Sequence, residues 1–114
     1  MIELLLQAEG ALSLGLLDRA ETLYRQVASA DPRNSIAVVG LARVALERRN
    51  EREALELAKR ALAIDPENVA AQRMVQRLEE VLRFRGVDLP APTDDVPTAP
   101  TRRRSLVDRL LRRR

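Results

Sequence analysis

The sequence predicts an all-α protein whose antiparallel helical hairpins stack into a short solenoid. Three observations carry this reading. The tetrapeptide Asp31-Pro32-Arg33-Asn34 returns 34 residues later as Asp65-Pro66-Glu67-Asn68. The same shift superposes Ile2 on Ile36, Ala8 on Ala42, Ala11 on Ala45, Leu12 on Leu46, Ala20 on Ala54 and Leu23 on Leu57. Between these boundaries apolar residues recur at helical spacing in two segments per unit, and a period of this length with two helices marks a stacked repeat.

The elements follow in order. Residues 2–14 place Leu4, Ala8, Ala11 and Leu14 on one helical face, Gly15 supplies a turn, and Asp18 is expected to cap a second helix over 19–30. Ala8, Ala11 and Ala20 are small where two helices must approach, and Tyr24 supplies bulk to fill the space between them. Pro32 cannot continue the helix and pushes Asp31 out of helical geometry, so the chain breaks there and Asn34 or Ser35 caps the next helix. The second hairpin is expected over 36–48 and 52–64, with Asn50 in the left-handed turn position. Gly40, inside the third helix, costs about 1 kcal/mol against Ala, and marks either a close backbone contact or simple tolerance. After Pro66 and an Asn68 cap, residues 69–85 read as one longer helix ended by Gly86. Ala71, Val75, Leu78 and Leu82 form its apolar face, with polar residues elsewhere.

Residues 87–101 hold four prolines, three aspartates and no aromatic side chain, a composition that favours a disordered linker between a folded unit, 1–86, and a tail, 102–114. In the tail, Ser105-Leu106-Val107-Asp108 has the spacing of a capping box. Leu106, Val107, Leu110 and Leu111 share one face opposite Arg109, Arg112 and Arg113. Residues 1–86 carry 13 basic and 13 acidic side chains, whereas 101–114 carry seven arginines against Asp108, so the whole basic excess lies in the tail.

The chain has no Cys and no His, which removes thiol nucleophiles, disulfides, imidazole bases, and thiolate or imidazole metal sites. No catalytic motif, metal site or cofactor is expected. The N-terminal apolar run has no cation before it and is interrupted by Glu3 and Glu9, unlike a secretory signal. The longest uncharged apolar run, residues 36–42, is far below the ~20 residues of a membrane span. A cytoplasmic, soluble or peripheral protein is expected.

Set in register, the units resemble the tetratricopeptide repeat family. Its pattern of large apolar, Leu-Gly/Ala, Ala, aromatic, Ala and Pro positions falls on Leu4, Gln7, Ala8, Ala11, Ala20, Tyr24, Val27 and Pro32. In the second unit it falls on Val38, Leu41, Ala42, Ala45, Ala54, Ala58, Ala61 and Pro66. Gln7 departs from the pattern, as do Leu4 and Val38 in place of Trp and Ala58 in place of an aromatic.

The resemblance implies two repeats plus a capping helix and a protein-binding role. In that family the first helix of each hairpin lines a concave groove. The corresponding positions are Ile2, Leu5, Leu6, Glu9, Leu12, Ile36, Val39, Arg43, Leu46, Arg73 and Arg77. They are apolar in the N-terminal half and cationic in the C-terminal half, where Arg43, Arg73 and Arg77 form a set that could hold a carboxylate, the alternative being a plain solvated face in a chain whose default cation is arginine. The positions with which some members clamp a terminal carboxylate are here Leu5, Glu9, Gly40, Ala70 and Met74, so that clamp is missing. The expected partner is a protein, a peptide or a second copy of the chain. The tail residues Arg102, Arg103, Arg104, Leu106, Val107, Arg109, Leu110, Leu111, Arg112, Arg113 and Arg114 are expected to meet an anionic membrane surface. A solvated tail and a nucleic-acid contact stay open as alternatives, the second lacking aromatic residues for stacking.

Overall fold

A computed structural model of the chain describes residues 1–86 together with Leu89; the rest of the linker and the tail, for which an amphipathic helix is expected, lie outside the described residues. Five helices follow one another without a strand among the described residues: α1 (Ile2–Ser13), α2 (Leu17–Ala30), α3 (Ser35–Glu47), α4 (Glu51–Ile64) and α5 (Val69–Phe84). Each packs mainly on its sequence neighbours, and α1 also touches α3. The array is therefore two hairpins and a closing helix, as the repeat requires.

The backbone repeats as faithfully as the sequence. Gly15 N–H donates to Leu12 and Leu16 N–H to Ala11, closing α1. The same pair of bonds, from Arg49 to Leu46 and from Asn50 to Ala45, closes α3. This paired closure needs one residue in the left-handed region. Gly15 supplies it at φ 78° and, 34 residues on, Arg49 at φ 64°. The expectation for Asn50 is thus corrected by one residue. Asn50 caps α4 instead, its side chain accepting from Glu53 N–H at 3.3 Å. Asn34 and Asn68 cap α3 and α5 through Ala37 N–H and Ala71 N–H, both at 3.0 Å. Asp18 does not cap α2, which begins one residue earlier behind Leu16 with no side-chain cap. Gly86, at φ 83°, ends α5 as expected.

The core forms around α3, which buries residues on every side. Ala8, Ala11, Ala20, Leu23, Tyr24, Leu41 and Val44 fill the space among α1, α2 and α3. Val38, Val39, Ala61 and Ala71 form a second cluster, and Ala45, Ala54, Leu55, Leu78 and Leu82 a third. Leu57 packs against all three. Ala20, Tyr24, Ala54 and Ala61 are fully enclosed, as the alanine spacing required. Gly40 is a close contact and not a tolerated defect, because a Cβ there would strike the Tyr24 ring. Leu14 departs from the expected core face. Falling just past the end of α1, it is 76% exposed.

Candidate functional site

The face built by the first helices is tied together by one polar network. Arg43 Nη1 on α3 donates to both carboxylate oxygens of Glu9 on α1, at 3.0 and 3.1 Å. The buried Tyr24 hydroxyl donates to Glu9 Oε2 at 2.5 Å. Burial pushes the Tyr24 phenol well above its usual range, and the adjoining carboxylate adds to the shift, so the ring stays a neutral donor at physiological pH. Glu9 and Arg43 occupy the same repeat position 34 residues apart. Opposite charges at that spacing are the signal by which the pair was legible. Taken one at a time, each of the two residues reads only as a groove position.

The network fixes which neighbours share the face. Residues three, four and seven positions away lie on the same side of a helix, so Ile2, Leu5, Leu6 and Leu12 accompany Glu9, and Ile36, Val39 and Leu46 accompany Arg43. Ile2, Leu6 and Ile36 are exposed, at 73%, 66% and 57%. Leu5, Leu12 and Leu46 are half-buried at the edge of the core. Val39 is corrected: only 6% exposed, it packs with Val38, Ala61 and Ala71 and offers nothing to a ligand. Arg43 is only partly free for a ligand, since its guanidinium already holds Glu9. Arg73 and Arg77 on α5 are exposed and make no ion pair among the described residues. The face thus runs from an apolar end on α1, through an internally neutralised pair, to two unpaired cations on α5.

Two further features join residues from different helices. Arg48, just past the end of α3, reaches back to Asp18 and Glu21 on α2. Its hydrogen bond, aided by the charges of Arg25 and Arg48 and opposed by slight burial, holds the Glu21 carboxyl below its usual range. Beside it a cleft of ≈ 560 Å³ opens between α2 and α4, floored by Leu41, Val44, Ala45 and Leu57 and rimmed by Arg25, Arg48 and Arg60. Three helices supply its walls, so no local pattern announced it. At the other end of the array, Asn68 Nδ2 donates to the buried Ser35 Oγ at 3.0 Å, pinning α5 to the start of α3.

Among the described residues no group of three or more carboxylates is placed to hold a metal ion, and no helix is long and apolar enough to cross a membrane. No curated protein and no solved structure gives a significant match to the chain. The tetratricopeptide repeat family model matches residues 11–78, more than half of the chain. That span runs from the close contact of α1 at Ala11 to Leu78 on α5. With the 34-residue register, the paired hairpin closures and the alanine-lined helix contacts, this match shows that the chain belongs to the tetratricopeptide repeat family.

Proposed function

We propose that the protein is a non-enzymatic interaction module that receives a peptide, a helix or a second copy of itself along the face of α1, α3 and α5, while its Arg-rich tail tethers it to an anionic surface. Membership of a family that generally mediates protein–protein interaction supports the first half. The observation that carries it is the row of large apolar side chains left open on one face: Ile2, Leu6 and Ile36 beside half-buried Leu5 and Leu12. Isolated apolar residues on a surface are ordinary, but a contiguous set marks an interaction site. Arg73 and Arg77 at the far end favour a ligand with an acidic group beyond its apolar anchor.

The tail reading rests on charge. Seven arginines against one aspartate within 14 residues, at about 1 kcal/mol for each cation near an anionic leaflet, outweigh what four apolar side chains add by shallow insertion. Peripheral attachment at the cytoplasmic face of a membrane fits that balance.

The test is panning of a displayed peptide library on the intact chain. Peptides with apolar anchors and a nearby carboxylate should be retained, and an Ile2→Asp, Ile36→Asp variant should lose them while keeping its helicity. Equal retention by that folded variant would overturn the face as the binding surface. Equal binding of the intact protein to phosphatidylcholine and phosphatidylserine vesicles would overturn the tether.

A further inference from the structure

The apolar end of this face has a matching occupant within the chain itself. Ile2 and Leu6 lie about one turn apart on α1 and point away from the array, 73% and 66% exposed, with Leu5 half-buried between them. The charge on that helix has one sign. Glu3 and Glu9 are its only ionisable side chains; Glu9 is held by Arg43, and Glu3 makes no ion pair among the described residues. A two-fold contact between α1 helices of two copies would bring like carboxylates together, which opposes that pairing. A cationic amphipathic segment satisfies both the apolar stripe and the unpaired charge.

The chain beyond the described fold ends in such a segment: Leu106, Val107, Leu110 and Leu111 at helical spacing, set among seven arginines. Leu89, three residues past Gly86, is half-buried against the cluster that Leu46, Met74 and Val75 border, so the last described residue lies on the array. From Leu89 to Ser105 the extended chain covers about 50 Å at ~3.1 Å per residue. Helix α1 stands two interhelical spacings from α5, roughly 20 Å at 8–10 Å each, so the reach is ample even along the diagonal.

We propose that residues 105–114 dock in cis on Ile2, Leu5 and Leu6, with their arginines beside Glu3, and so cover the apolar end of the binding face until an anionic surface draws them off. This rests on that face being a docking surface, and it adds regulation to it. Leu106, Leu110 and Leu111 cannot lie against α1 and in a bilayer at once. Attachment and opening of the face are therefore coupled by competition for one set of side chains.

The chain has no cysteine, so full-length Arg114→Cys takes a single nitroxide label, read by paramagnetic broadening of backbone amide signals. Signals of α1 over residues 2–6 should be lost while those of α4 persist. Leu106→Asp with Leu110→Asp should restore them, Glu3→Lys should restore them in part, and phosphatidylserine vesicles should restore them in the labelled wild-type background. Unbroadened α1 signals would overturn the proposal. So would broadening seen when the nitroxide sits only on a second, isotopically silent chain, which would make the occupant another copy. Signals that stay broadened with vesicles bound would overturn the competition. Peptide panning on the Leu106→Asp, Leu110→Asp chain separates the two readings. Retained peptides with no α1 broadening leave the binding face standing and sink cis docking; α1 broadening with no peptide retained by the opened chain does the reverse.

Discussion

Helices α1 and α3 hold the same place in successive repeats and are similarly apolar, yet they differ sharply in burial. Helix α3 buries Ala37 through Ala42, Val44 and Ala45, with Ser35 at its start; α1 buries only Ala8 and Ala11. The difference comes from the neighbours. Helix α3 is packed by α2 on one side and α4 on the other, whereas α1 has α2 and a narrow edge of α3. Where α3 must receive α2 it carries Ala37, Gly40, Leu41 and Val44. The register equivalents on α1 are Glu3, Leu6, Gln7 and Gly10. The same helical position is core in one repeat and surface in the other, so an apolar residue identifies a face without saying what covers it.

The largest test of this contrast is Tyr24, the aromatic side chain on which α3 closes. Tyr24→Ala should lower stability by about 3–5 kcal/mol, as expected for a fully enclosed ring. Leu6→Ala on α1 should stay within about 0.5 kcal/mol. Thermal midpoints by circular dichroism would show it, and similar losses for both would erase the distinction.

Alkaline pH probes the same ring. The folded phenol is raised above its free value of 10.0, so the stability it contributes is fully present below pH 10 and is lost as pH rises through the folded pKa. The midpoint should fall above about pH 10, and Tyr24→Phe, which cannot ionise, should flatten that fall. Glu9 and Arg43 face the hydroxyl. Tyr24 is the only tyrosine in the chain, so its ultraviolet titration is free of overlap. Ionisation at the free value in the folded protein would contradict its burial beside Glu9.

Glycines sharpen the comparison further. Gly40→Ala on α3 drives a methyl group into Tyr24, and should cost about 1–3 kcal/mol from overpacking despite the better helix former. Gly10→Ala on α1 meets open space and should gain up to about 1 kcal/mol. Urea midpoints moving in opposite directions would bear this out; a gain at both sites would show that the ring has room to move.

The smallest effect is expected at the hairpin turns. Arg49 carries a Cβ in a left-handed conformation that Gly15 adopts freely. Arg49→Gly should therefore raise stability by about 1 kcal/mol or less, whereas Gly15→Ala should lower it by a similar amount. If Arg49→Gly destabilises, the arginine side chain makes a contact at the turn that outweighs the strain.

The repeat and its register follow from the order of residues alone. A 34-residue recurrence sets the register, and prolines that cannot continue a helix, asparagines at two caps, and alanines where helices meet are local constraints, each readable from a few adjacent residues. That is why all five helices lie within two residues of their expected ends. Tertiary structure decided what the register could not. It buried Val39 but left Ile36 open, although both hold groove positions of the repeat, because Ala61 and Ala71 arrive from α4 and α5. It turned Glu9 and Arg43 from two ligand candidates into partners of each other and of Tyr24. In each case the outcome depends on a side chain supplied by another helix, and burial and charge pairing are properties of that meeting, not of either residue.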